Sequence, residues 1–138
     1  MKAEELMLDD WVECLDSTHE KRMYAQIDAI EESRRCLLVK DGWGNWFLDI
    51  KHLEPIPLTE EILKKNGFEV HPFGCAWYQE KGIDFQNYIV VHFRRNGEPR
   101  KVELCFVNKV SAEVRDINYV HQLQRLLKLC NIDKEIIL

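Results

Sequence analysis

The stretch EPIPLTEEILKKNGF, residues 54–68, separates two different patterns in the chain. Pro55 and Pro57 favour extended chain and cannot continue a sheet ladder normally, so they predict a boundary between two modules. A short helix is predicted directly after them, because Thr59 suits the N-cap position. Gly67 can take the left-handed position just beyond the end of that helix. The boundary therefore lies where a strand pattern gives way to a helix.

The first module, residues 1–58, has the pattern of four or five short strands joined by tight turns. Residues 23–30 alternate between two faces, and residues 36–39 form a continuous apolar run of strand length. Asp41-Gly42 favours a hairpin turn, since such a turn needs positive φ. No helical pattern lies between these segments. We therefore expect a small SH3-like β barrel.

The second module, residues 59–138, begins with the short helix and ends with a longer one. Three strand-like segments lie between the helices, at residues 73–78, 88–93 and 102–107. An Asn-Gly pair at 96–97 predicts a hairpin turn between the last two strands. The module is therefore predicted as a helix, a three-stranded antiparallel sheet and a helix. The whole chain is predicted to be an α+β protein whose two modules pack together.

The final helix, beginning near Asn118, is predicted by an apolar stripe at helical spacing. The residues of the stripe are Tyr119, Val120, Leu123, Leu126, Leu127 and Cys130. The residues predicted to face away from the stripe are His121, Gln122, Gln124, Arg125 and Lys128. Asn131 can serve as a left-handed cap, so we expect the helix to end there.

Apolar residues make up 46% of the 138 residues and charged residues 31%, which is typical of a globular protein. The net charge is −5, and residues 1–58 carry 7 Lys or Arg against 13 Asp or Glu. An acidic module repels a phosphate backbone, so generic nucleic-acid binding is not expected. No apolar run reaches the ~18 residues needed to cross a bilayer, and residues 1–5 lack the apolar stretch of a secretory signal. We expect a cytoplasmic protein without a membrane partner.

Cysteines are spread along the chain in an odd number and without close pairs. This pattern favours reduced thiols rather than a disulfide framework. His71 and Cys75 form one loosely spaced ligand pair, whereas zinc sites usually combine two tight pairs. We therefore expect no bound metal and no cofactor. The five cysteines are Cys14, Cys36, Cys75, Cys105 and Cys130.

No arrangement of catalytic residues is predicted. A nucleophilic cysteine or serine needs a base beside it, often on a strained turn, and the sequence has no such motif. Gly42-Trp43-Gly44 leads into a strand rather than a helix, so it does not predict a phosphate-binding loop. Paired carboxylates such as Asp9-Asp10 would point to opposite faces of a strand. We therefore expect a protein that is not an enzyme.

Three blocks of the chain carry a resemblance to known sequences. They are KAEELMLDDWV at residues 2–12, HLEPIPLTEEILKKNGF at residues 52–68 and YVHQLQ at residues 119–124. These blocks resemble a family of short uncharacterised proteins of bacterial phages and mobile elements. The resemblance implies a shared scaffold and a phage or mobile-element setting, and it assigns no site residues. Asp9 departs from the glycine expected there, which leaves the form of the first turn open.

A basic hairpin tip is one candidate binding surface. Arg94 and Arg95 precede the predicted turn, and Arg100 and Lys101 follow it. Antiparallel pairing across a short turn would bring these four cations close together. They are the predicted contacts if the protein binds nucleic acid or an acidic protein, although a solvated tip is the simpler interpretation.

An aromatic cluster in the first module is the other candidate surface. Its residues are Trp11, Tyr24, Trp43, Trp46 and Phe47. Adjacent residues of a strand point to opposite faces, so either Trp46 or Phe47 is expected to be exposed. Exposed aromatic rings on a small barrel suit the docking of a peptide, although core packing is the simpler interpretation of most of them.

The sequence favours a non-enzymatic interaction protein, an accessory protein of a phage or mobile element that binds another protein through the aromatic cluster. The first alternative is a nucleic-acid-binding accessory factor that uses the basic hairpin. The second alternative is an enzyme of a type that no motif defines. The identity of the partner and the oligomeric state stay open.

Overall fold

The computed structural model describes residues 6–16, 18, 21–40, 44–79, 88–105 and 111–138. The chain is mostly β, with two five-stranded antiparallel sheets and two short helices in the described residues. It divides into two compact units, Met1–Ile56 and Pro57–Leu138. Neither helix is long and apolar enough to cross a membrane.

The first unit contains one sheet in the order β4-β3-β2-β1-β5. Its strands are β1 (Trp11–Leu15), β2 (Arg22–Ile30), β3 (Arg35–Lys40), β4 (Gly44–Asp49) and β5 (Glu54–Pro55), with a 3-10 turn at Ile50–His52. The predicted antiparallel strands are confirmed. Within the described residues β4 and β5 are both edges, so no closed barrel is formed.

Alternation along β2 explains how the first unit builds its core. Ala25 and Ile27 are fully buried, while Tyr24 before them and Asp28 after them are exposed. A register shift between Ile27 and Ala29 ends the strict alternation, so Ala29 is only half-buried instead of joining the predicted face. The residues of this core are Leu6, Val12, Cys14, Ala25, Ile27, Cys36, Leu38, Trp46, Leu48, Ile50 and Leu53.

The turn before β1 has a left-handed residue at Asp9, with φ of 66°. Its N–H donates to the Ile27 carbonyl at 2.7 Å, and the Ile27 N–H donates to the Asp10 carbonyl at 3.0 Å. Aspartate tolerates this conformation better than most residues. The turn therefore has the backbone conformation that the expected glycine favours.

The second unit contains one sheet in the order β10-β9-β8-β7-β6 and two helices. Its elements are α1 (Glu60–Lys65), β6 (Glu69–His71), β7 (Cys75–Gln79), β8 (Tyr88–Phe93), β9 (Pro99–Cys105), β10 (Ser111–Arg115) and α2 (Val120–Leu129). The prediction of three strands is therefore wrong, because the sheet has five. The two additional strands are the edges, β6 with three residues and β10 with alternating polar residues.

The predicted caps of α1 are confirmed. The Thr59 hydroxyl accepts a hydrogen bond from the Ile62 N–H at 3.2 Å. Gly67 has a φ of 80°, and the Phe68 N–H donates to the Leu63 carbonyl at 3.0 Å beyond the helix end. Because both ends are capped, a helix of less than two turns is held in place.

The predicted facing of α2 is partly wrong. Leu123 and Leu127 are buried as expected, but His121 and Gln124 are also buried, at 3% and 6% exposure. The reason is the segment after the helix, where the Ile136 N–H donates to the Gln124 side-chain oxygen at 2.8 Å. The helix is therefore covered on a second side.

Candidate binding surface of the second unit

The predicted hairpin between β8 and β9 is confirmed. The Arg94 N–H donates to the Glu98 carbonyl at 2.7 Å, and the Gly97 N–H donates to the Arg94 carbonyl at 2.9 Å. Gly97 has a φ of 83°, a conformation that glycine adopts without strain. The Asn96 side chain accepts from the Glu98 N–H at 3.1 Å and closes the turn further.

The four predicted cations of this hairpin do not share one role. Lys101 is half-buried, and its Nζ lies 2.8 Å from Glu113 Oε2 and 3.8 Å from Glu103 Oε2. Arg94, Arg95 and Arg100 are exposed, and none of the three is in an ion pair with a described residue. Of the four predicted cations, three therefore have no ion-pair partner among the described residues, and Lys101 is already paired.

The turn between β6 and β7 lies beside this hairpin. The Gly74 N–H donates to the His71 carbonyl at 3.2 Å, which closes the turn, and the Phe93 N–H donates to the Gly74 carbonyl at 2.7 Å. Gly74 has a φ of 78°, and a Cβ atom there would lie 3.4 Å from the Phe93 carbonyl oxygen. The two turns are therefore joined at one end of the sheet.

Phe73, at the tip of the first turn, is 94% exposed. A phenylalanine that leaves nearly all its surface in water forgoes the hydrophobic stabilisation that burial provides. Phe73 begins a predicted strand at residues 73–78, although Pro72 and Gly74 on either side of it are turn residues. The aromatic ring was therefore missed as a member of the surface.

An open groove of about 780 Å³ lies between the two turns, and we call it the turn-end groove. It is lined by Glu60, Val70, His71, Pro72, Phe73, Gly74, Phe93, Arg94, Arg95 and Gly97. Arg100 is not among the lining residues, so two of the predicted cations border the groove. Among the described residues, the groove therefore combines apolar walls, two guanidinium groups and the carboxylate of Glu60.

His71 is held against the neighbouring strand. Its ring stacks on Trp77 with centroids 6.0 Å apart and an angle of 19° between the planes. The Trp77 indole N–H donates to His71 Nε2. These two contacts with Trp77 fix the His71 ring at one end of the turn.

The predicted aromatic cluster of the first unit is divided between two faces of its sheet. Trp46 lies in the core at 9% exposure, and its indole N–H donates to the Leu15 carbonyl at 3.2 Å. Tyr24 and Phe47 are both 40% exposed, and the Arg35 guanidinium lies 5.1 Å from the Phe47 ring centroid. The prediction that Trp46 or Phe47 is exposed is therefore correct for Phe47.

The other two aromatic residues of the cluster contribute less to an exposed surface. Trp11 is half-buried, and its indole nitrogen is buried without a hydrogen-bond partner among the described residues. Trp43 lies outside the described residues. Among the described residues of the aromatic cluster, two rings are therefore exposed, those of Tyr24 and Phe47.

The cysteines and histidines do not form a metal site in the described residues, where no group of three or more His, Cys, Asp or Glu side chains could hold an ion. His92 Nε2 instead lies 2.8 Å from Glu103 Oε2. All five cysteines are free thiols. Burial raises the pKa of Cys14 to about 11, so this thiol is protonated at neutral pH and a poor nucleophile.

Comparisons of the chain with protein-family models, with curated proteins and with solved structures found no match.

Proposed function

We propose that this is a non-enzymatic binding protein whose turn-end groove takes up an acidic segment of another protein. The observation that carries the proposal is Phe73, which is 94% exposed beside two arginines that have no ion-pair partner among the described residues. Aromatic residues and arginine are the types enriched where binding energy is concentrated in protein interfaces.

The apolar part of the groove supplies the anchor. Burying one exposed phenylalanine ring contributes about 1.5–3 kcal/mol. Val70, Pro72 and Phe93 line the groove beside Phe73, so an apolar side chain of the partner meets an apolar wall. The volume of about 780 Å³ is large enough for a few residues of an extended segment.

The arginines select the charge of the partner. Arg94 and Arg95 can each donate two hydrogen bonds to one carboxylate, which gives geometric specificity as well as attraction. Glu60 also lines the groove and would repel a partner that carries negative charge at every position. A segment in which acidic and apolar residues alternate or adjoin therefore fits better than a uniform polyanion.

Nucleic acid is the second candidate, favoured by the three exposed arginines beside an aromatic ring that can stack on a base. Three observations favour a protein instead. Lys101 already forms ion pairs with Glu113 and Glu103. Glu60 lies in the wall of the groove, and the chain has a net charge of −5. Generic nucleic-acid binding therefore remains unexpected, and it is an outcome of the test below.

The test is fluorescence anisotropy with a labelled ten-residue peptide of aspartate and glutamate around a central Leu-Phe pair. A second peptide with amides in place of the acids controls for charge. We expect Phe73→Ser, and separately Arg94→Ser combined with Arg95→Ser, to weaken binding of the acidic peptide about tenfold or more. Leu129→Ser is the matched control, because Leu129 is 84% exposed and lies on α2 outside the groove.

Labelled single-stranded DNA, duplex DNA and RNA are titrated in parallel. Tighter binding of a nucleic acid, lost in the double arginine variant and falling steeply with salt, would establish the second candidate instead. Acidic-peptide binding that is absent, or that Phe73→Ser leaves unchanged, would contradict the proposal.

Two finer features belong to the same proposal. The strand order β4-β3-β2-β1-β5, with a 3-10 turn before the last short strand, supports an SH3-like first unit. A role as an accessory protein of a phage or mobile element rests on the resemblance of the three sequence blocks. The proposed cytoplasmic location rests on the odd number and wide spacing of the cysteines.

A further inference from the structure

The edges of the two described sheets are protected to different degrees. β5 has two residues and includes Pro55, β6 has three residues, and β10 carries the charged side chains of Glu113 and Arg115. Short length, proline and charge are the usual means by which an edge avoids pairing with another chain. β4 has six residues, Gly-Asn-Trp-Phe-Leu-Asp, without proline, lysine or arginine. β4 is therefore the unprotected edge among the four.

The hydrogen-bonding groups on the open side of β4 follow from its register with β3. The Ile50 N–H donates to the Arg34 carbonyl, and the same register pairs Leu48 with Cys36 and Trp46 with Leu38. Bonded pairs alternate along an antiparallel ladder, so Leu48 and Trp46 direct their N–H and C=O groups toward β3. Asn45, Phe47 and Asp49 therefore direct theirs toward the open edge.

The side chains at this edge leave it accessible. Gly44, Asn45 and Phe47 are exposed, and Phe47 keeps 40% of its surface in water. The Asp49 carboxylate uses Oδ1 to accept the Lys51 N–H at 3.0 Å, and its Oδ2 lies 3.4 Å from Lys51 Nζ. Oδ2 can still accept a hydrogen bond from another donor.

We propose that β4 pairs antiparallel with β4 of a second copy of this chain, about a two-fold axis at Phe47. This register places Phe47 opposite its own copy and Asn45 opposite Asp49, where the amide donates to the carboxylate. On the other face it places Trp46 opposite Leu48. Every cross-strand pair at these positions is therefore complementary, which a symmetric interface requires. Pairing through β4 is independent of what the turn-end groove binds.

The alternative registers fit less well. Shifting the two-fold axis by one residue along the strand, to Trp46, places Asn45 opposite Phe47 and leaves Asp49 without its donor. The self-complementary register is what favours a second copy over an unrelated extended peptide. Because a pair of six-residue strands buries less than the ~800 Å² per partner of a standard interface, we expect a dissociation constant on the order of 10 μM.

Sedimentation equilibrium of the full chain from about 1 to 300 μM tests the proposal, since this range brackets the expected constant. In the Phe47→Glu variant, two carboxylates lie opposite each other across the two-fold axis and repel. Within each chain, the Arg35 guanidinium still lies beside position 47 and can pair with the new carboxylate. We expect at least tenfold weaker dimerisation. Tyr24→Lys is the matched control, because Tyr24 is also 40% exposed and faces Glu13, but lies on β2 away from the edge.

A second variant reads out the register. Phe47→Cys should form a disulfide-linked dimer under mild oxidation, whereas Tyr24→Cys should not, since only position 47 meets its own copy. Circular dichroism establishes that each variant keeps its fold. A monomeric wild-type chain over the whole concentration range would overturn the proposal, as would a dimer that Phe47→Glu leaves intact or that Tyr24→Lys weakens equally.

Discussion

Two buried amide side chains hold the last residues of the second unit in place. Asn66 donates from Nδ2 to the Ile137 carbonyl at 2.9 Å and accepts the Ile137 N–H at 2.8 Å. Gln124 accepts the Ile136 N–H at 2.8 Å. The burial of these two amides could not be predicted from the sequence. Helical periodicity identifies the apolar face of a helix, but it does not show which later segment covers the other face.

Gln124→Leu should destabilise the second unit by about 1–3 kcal/mol, because it leaves the buried Ile136 N–H without an acceptor. Thermal and denaturant unfolding measure the effect. Leu129→Gln controls for a change on the same helix and should stay within about 0.5 kcal/mol, since Leu129 is 84% exposed. An equal loss of unfolding free energy in the two variants would contradict a stabilising role for the Gln124 hydrogen bond.

At the scale of elements, local signals with a direct physical cause were predicted correctly. The Thr59 cap, the Gly67 terminus of α1 and the Asn-Gly hairpin at 96–97 each depend on a residue's own backbone preferences. β6 and β10 were missed. Three residues are too few to establish an alternating pattern, and the polar residues of β10 resemble those of a loop.

The turn between β6 and β7 depends on Gly74, whose φ is 78° and where a Cβ atom would lie 3.4 Å from the Phe93 carbonyl oxygen. Gly74→Ala should lower the free energy of unfolding by about 1–2 kcal/mol, because a left-handed alanine is strained. Gly97→Ala carries the same backbone strain but has open space around its Cβ. We expect the Gly74 variant to be the less stable of the two in denaturant unfolding. The opposite order would contradict a close contact between the Gly74 turn and Phe93.

At the scale of the whole molecule, charge separates the two halves of the chain. Residues 1–58 carry 7 Lys or Arg against 13 Asp or Glu, while the exposed arginines of the hairpin lie in the second unit. The arginines attract the acidic partner that we propose for the turn-end groove. The net charge of −5 opposes the binding of a long polyanion and so favours a short segment.

The candidate site was predictable in part. The hairpin cations are adjacent in sequence to a strong turn signal, so their grouping follows from local pairing. Lys101 forms an ion pair with Glu113 only because β10 lies beside β9. Phe73 belongs to the candidate site only because a second turn reaches the same end of the sheet. Both are consequences of the order of strands, which no local pattern encodes.

The most direct test of the proposed function is a two-dimensional NMR titration of the ¹⁵N-labelled chain with the acidic Leu-Phe peptide. We expect the amide signals of residues 70–74 and 93–97 to move first and furthest, and we expect Phe73→Ser to remove these changes. Movement centred on Tyr24 and Phe47 of the first sheet, or no movement at all, would contradict it.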